Sequence, residues 1–392
     1  MLMMGKKQIL GRILLGVVGG IAAFGISMAG DSLLGWYLGK IHYFKAMPPH
    51  FVKVYDTSEF TVEARISSQG LRNEEVAVPK PDDTFRILAV GDSFTFGWGV
   101  DGASSWPKLL ETSLKVPGKN VEVINAGLPG AGPTDERRIC RAYRDWFDVD
   151  AVVLAVYRDD FYQGAARQEK LPGVVQWLEI TWPTVLQVKT PIISTSKVWE
   201  RLEYGQGEIR SSEVWKDQVA LGLKRNPTIL LKFDPKLRQD FLAGKINPAL
   251  VARAASDPNF LIYILDDDLA KVAFSVMDLR LQRFAKRCGG TLPVAVVFLP
   301  GPTLVSEYYL PFREELGYII DKRLTTFDIE TPLQAIVEKY NFTYFSILPD
   351  FRQDGCLDCF YPYDGHMTVQ GHQRTLQALL PVFQQWLDRI YE

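Results

Sequence analysis

Histidine is scarce in this chain, with four in 392 residues. A reaction that needs an imidazole base therefore has few candidates. Cysteine is equally scarce, with four. A structural zinc site usually takes four ligands, and the one close pair, Cys356 and Cys359, has only His366 near it. No metal and no cofactor are expected. Neither sign of charge is in excess: 44 Lys and Arg against 46 Asp and Glu leave a formal charge of -2. A nucleic-acid footprint would need a basic surplus. There is no internal repeat and no low-complexity tract. With 47% hydrophobic and 23% charged residues, the composition is that of a globular chain rather than a disordered one. Its length allows one large domain or two ordinary ones.

Charge is also absent from Ile13 to Gly30, behind Lys6, Lys7 and Arg12. Such a run can span a bilayer as a helix. Its basic flank would stay inside, leaving the rest of the chain outside the cytoplasm. Ser27-Met28-Ala29 has the small residues of a cleavage site. The run is long, however, and Leu33, Leu34, Trp36, Tyr37 and Leu38 extend it, so an uncleaved single-pass anchor is the favoured expectation. The partners expected are the lipid bilayer, through this helix, and no nucleic acid. In an exported chain Cys356 and Cys359 could form a local disulfide that stiffens their loop, or remain thiols. Cys140 and Cys288 fall in helical patterns and read as small buried core residues.

Beyond Pro48-Pro49, strands alternate with helices. Phe85–Val90, Val121–Asn125, Ala151–Tyr157, Pro293–Leu299 and Thr343–Leu348 are apolar on both faces, as covered parallel strands are. Ser105 with Pro107 predicts one helix start. Thr134 with Asp135 and Glu136 predicts another. A third helix is predicted from about Asp267 to Cys288, ended by Gly289. The last follows Gly371, with Pro381 predicting a kink or break. The fold class this implies is α/β: a flavodoxin-like, doubly wound parallel sheet of about five strands, with the N-terminal transmembrane helix. The stretch from Phe161 to Asn259 is too long for one crossover. It predicts a largely helical insertion, whose Trp177, Trp182, Trp199 and Trp215 either fill its own core or meet sugars or the membrane interface.

Ser93, in Gly91-Asp92-Ser93-Phe94-Thr95, stands where the first core strand ends. Ligands of open α/β sheets bind outside the carboxyl ends of strands. A serine nucleophile needs a base, and His366, in Asp364-Gly365-His366, falls after the last strand. Asp364 is close enough to orient its ring. His372 is the competitor, expected on the final helix in a solvent-facing or capping role. His42 and His50 adjoin the membrane segment. Asn125-Ala126-Gly127-Leu128-Pro129-Gly130 follows the second strand, where glycine lets backbone N–H groups face an anion. Gly97-Trp98-Gly99-Val100-Asp101-Gly102, with Glu122 beyond it, also fits Gly-x-Gly-x-x-Gly. Its first glycine is displaced from the strand end, though, and Glu122 begins a strand rather than ending one.

Taken together, Gly91-Asp92-Ser93, Asn125-x-Gly127-x-x-Gly130 and Asp364-x-His366 resemble the SGNH/GDSL hydrolase superfamily, in that family's order. The resemblance implies Ser93 as nucleophile, His366 and Asp364 as its base and orienting acid, and the N–H groups of Ser93 and Gly130 as oxyanion donors. The family's fourth segment, Gly-x-Asn-Asp, is matched by Tyr157-Arg158-Asp159-Asp160, so Asp159 stands where the family places a donor asparagine. Gln69-Gly70-Leu71-Arg72 resembles membrane-anchored bacterial relatives, which often act on acyl groups of cell-surface glycans. The division implied is an anchor and flank at 1–45, an extended linker at 46–82, and a hydrolase domain at 83–392 with the insertion at about 161–260. The expected function is an anchored, extracytoplasmic serine esterase acting on an acyl, foremost O-acetyl, ester of a glycan. An acetyl transferase on the same site, or a non-catalytic glycan-binding or assembly protein on the same scaffold, are the other expectations.

Overall fold

The computed structural model describes residues 6–40, 45–162 and 228–391. The chain divides into two units. The described part of the first is one helix, α1 (Lys6–Lys40). Among the described residues no helix is long and apolar enough to cross a membrane. The described side chains of α1 begin at Val18, so the front of the Ile13–Gly30 run lies outside them.

The second unit opens with an antiparallel hairpin, β1 (Val52–Asp56) and β2 (Thr61–Arg65). Its sheet follows: β3 (Thr84–Gly91), β4 (Asn120–Gly127), β5 (Ala151–Tyr157), β6 (Val294–Leu299) and β7 (Thr343–Phe345). All neighbours are parallel, in the order β4-β3-β5-β6-β7. That is the flavodoxin-like order expected, with the topological switch at the end of β3. Every residue of β3 and β6 is buried. Arg86 in β3 is tolerated because its guanidinium donates to Glu122 and to the carbonyls of Phe147 and Ala77. Strand β7 stops short of the predicted Leu348, where Pro349 opens a short helix instead.

On one face α3 (Trp106–Ser113) packs against β4 and the last helix, α8 (Val369–Tyr391). On the other, α4 (Pro133–Arg144), α6 (Asp267–Phe284) and α7 (Glu330–Glu338) form the layer. Some details differ from expectation. Gly132, not Thr134, caps α4, because Pro133 takes the first helical position. Pro381 lies inside α8. His372 is buried, not solvent-facing, and its Nδ1 accepts from Trp106 N at 3.2 Å, capping α3.

The expected insertion falls mostly on 163–227, outside the described residues, with its four tryptophans. Its described end is helical and includes α5 (Pro248–Ser256), whose cap Asn247 accepts from Ala249 N. Residues 46–82 are not a solvated linker: Tyr55, Ala64 and Leu71 are buried in the second unit. Both pairs of cysteines are bonded, Cys356 to Cys359 and Cys140 to Cys288. The second pair was expected only as core. It joins α4 to the turn Ala285–Gly289 after α6, with the Cα atoms 5.8 Å apart, and the 148-residue separation hid it. Closing so long a loop restricts the unfolded chain, a contribution of about 2–5 kcal/mol. Replacing Cys140 and Cys288 together by alanine should lower the unfolding free energy by about that amount in denaturant titrations. Equal stability of the variant and the oxidised parent would remove the bond from the stabilising contacts.

Candidate active site

At the switch point β3 and β4 end side by side, with Gly91 paired to Gly127. The chain then turns into α2 (Ser93–Phe96). The backbone of α2 crosses the end of β4 so closely that a Cβ on Gly127 would lie 2.2 Å from Phe96 N. Asn125 fastens the crossing, donating to Thr95 O at 2.9 Å and accepting from Gly127 N at 3.0 Å. Arg72 holds the far end of α2: its guanidinium is buried and donates to the carbonyls of Phe96, Gly97 and Val100. Gly97 is thus the left-handed cap of α2, not a phosphate-binding turn, and Glu122 is engaged by Arg86.

Ser93 is the first residue of α2. Its Oγ lies 2.7 Å from His366 Nε2. Asp364 Oδ1 holds the other ring nitrogen, Nδ1, and also accepts from His366 N at 3.3 Å. Ser93, His366 and Asp364 thus form one chain of contacts, the arrangement that a serine nucleophile, its base and an orienting acid would need. Phe94 and Trp98 flank the imidazole, with ring centroids 5.0 and 5.9 Å away. Burial pushes the Asp364 carboxyl up, but His366 and Arg313 outweigh it and hold it below its ordinary value. Asp364 is therefore ionised where it must stabilise an imidazolium.

The loop carrying these residues is gripped from two sides. Arg313 donates to the carbonyls of Tyr363 and Pro362, and a Cβ on Gly365 (φ +84°) would strike its guanidinium. Glu59, in the turn between β1 and β2, accepts from Tyr363 N at 2.8 Å and Asp364 N at 2.7 Å. The sequence offered no sign of Glu59, which lies 305 residues from Asp364.

A cavity of about 380 Å³ opens beside Ser93 and His366. Gly130 lines it with φ +75°. So do Asp159 and Arg158, because β5 ends at Tyr157 and residues 158–162 are helical, so that both side chains can face the cavity. Asp159 is not a stand-in donor: its Oδ1 accepts from Arg158 Nη2 at 2.8 Å. Asp92 caps α2 by accepting from Phe94 N, and burial pushes its carboxyl up to about 7. Cys356 and Cys359 are bonded to each other beside Asp358, so neither sulfur is available to a metal.

No family model and no curated protein match this chain. Among solved structures it is similar to a lipolytic G-D-S-L family protein from Veillonella parvula DSM 2008, at 11% identity over 76% of this chain and 98% of that one, with a TM-score of 0.36. It is similar to TesA at 12% identity, 76% and 98% coverage and a TM-score of 0.36. It is also similar to AlinE4, an SGNH-hydrolase family esterase, at 15% identity, 79% and 99% coverage and a TM-score of 0.32.

Glu59 gives the acid loop a pH signature. Burial, with the charge of Asp364 adding, pushes its carboxyl from 4.5 up to about 7. Between those values the folded chain holds a proton that the unfolded chain has released, so stability falls as pH rises across that window. Asp92 acts in the same direction. In Glu59→Gln this part of the slope should vanish, and urea titrations from pH 4.5 to 7 would show a flatter profile than the parent. Parallel profiles would rule Glu59 out as the titrating group.

Proposed function

We propose that this chain is a serine ester hydrolase of the SGNH/GDSL type, held at the cell membrane with its catalytic unit outside the cytoplasm, acting on acyl groups, foremost O-acetyl, of a cell-surface or exported glycan. The observation that carries the reading is the 2.7 Å contact between Ser93 Oγ and His366 Nε2, with Asp364 on the opposite ring nitrogen. His366 takes the Ser93 proton as Oγ attacks the ester carbonyl, and Asp364 stabilises the imidazolium. The oxyanion faces the N–H groups of Ser93 and Gly130. His366 then protonates the departing alcohol, and water releases the acyl group by the same steps in reverse. A sugar hydroxyl in place of that water would make the same enzyme a transferase.

The location is supported by three observations. Two disulfides suit an oxidising compartment. The basic residues Lys6, Lys7 and Arg12 precede the uncharged run carried by α1. Along α1, Ile21 is 67% and Ile26 73% exposed, apolar surface that a bilayer would cover.

Fluorophosphonate labelling of the full chain tests the chemistry. The parent should label, and Ser93→Ala and His366→Ala should not. Hydrolysis of p-nitrophenyl acetate should fall by roughly 10⁴-fold or more in Ser93→Ala with the melting temperature unchanged. A folded parent that neither labels nor hydrolyses would favour the non-catalytic, glycan-binding reading.

A further inference from the structure

We propose that the Arg158–Arg253 wall of the cavity is a subsite for an anionic group, a carboxylate or a phosphate, borne by the same ester that Ser93 attacks; this rests on reading Ser93 as the nucleophile. Arg158 is 3% exposed. Its Nη2 is taken by Asp159, while Nε and Nη1 have no hydrogen-bond partner among the described residues. Donors of a buried cation left unmade are costly, and groups in that condition mark places where a ligand can act. Arg253, on α5, lines the same cavity with its side chain 36% exposed.

The two guanidiniums share one aromatic ring. Their central carbons lie 5.2 and 4.4 Å from the centroid of Phe260. They also share one carboxylate, Asp159, 2.8 Å from Arg158 and 3.9 Å from Arg253. At the longer distance Arg253 feels the charge of Asp159 without donating a hydrogen bond to it. Two cations against one anion leave this end of the cavity positive. The other carboxylates on the wall are committed elsewhere, Asp364 to His366 and Asp92 to Phe94 N. A planar guanidinium fork fits the paired oxygens of carboxylate or phosphate. Arg253 is the accessible contact, and buried Arg158 supplies field behind it. The same wall includes Leu250, Phe260 and Leu261, so part of the ester can be apolar.

The test uses the full chain carrying Ser93→Ala, titrated calorimetrically with monomethyl succinate, with inorganic phosphate and, as the uncharged control, with methyl propionate. At least one anion should bind about ten-fold or more tightly than the control, the gain of one charge-assisted hydrogen bond; which anion does so identifies the ligand class. Arg253→Gln should remove the gain. Asp159→Asn should increase it, a result that misfolding does not produce. Equal affinity for anions and control, or a gain that survives Arg253→Gln, overturns the subsite. Hydrolysis of p-nitrophenyl butyrate by the parent separates the two claims. Turnover of this neutral ester without an anion gain removes the subsite alone. An anion gain without any turnover keeps an anion-binding wall but removes the nucleophile reading, and with it the claim that the anion belongs to an ester Ser93 attacks.

Discussion

The site depends on one close approach. The backbone of α2 lies where any side chain on Gly127 would be, 2.2 Å from a Cβ built there. Because strands β3 and β4 end in the paired residues Gly91 and Gly127, α2 can fold back over the sheet edge and keep Ser93 at its first position. Asn125 below and Arg72 at the far end then remove the remaining freedom. The serine is thus positioned by backbone packing rather than by its own contacts, so its hydroxyl is left to His366.

Electrostatics at the site divide by location. Beside His366 the Asp364 carboxylate is held ionised by its neighbours, with Arg313 beneath the loop. Where β5 gives way to a helical turn, the balance inverts, and Asp159 is outnumbered by Arg158 and Arg253. The Asp159 carboxylate is not a free negative charge, because Arg158 engages it.

How much of this the sequence revealed follows from the range of the interactions. Apolar runs report burial locally, so Ala151–Tyr157 was legible to the residue. The doubly wound class and Ser93 at a strand end were legible for the same reason, and the Asp364–His366 contact because the two residues are neighbours in the chain. What escaped was set by packing between distant segments. Glu59 reaches the acid loop across 305 residues, and the Cys140–Cys288 bond spans 148. Arg158 and Asp159 lie past Tyr157, where the strand stops and a helical turn begins that no apolar run announced. His372 looked like a surface residue because its helical face is covered by α3, a neighbour no local pattern names.

The hairpin ahead of the sheet changes where the folded unit begins. Residues 46–82 look dispensable by composition, yet they supply Glu59 to the acid loop and Arg72 to the nucleophile helix. The smallest autonomous body therefore starts near Lys45, not at the first core strand. An excised version trimmed to Thr84 would retain Ser93, His366 and Asp364 but lose both braces that set the distances between them.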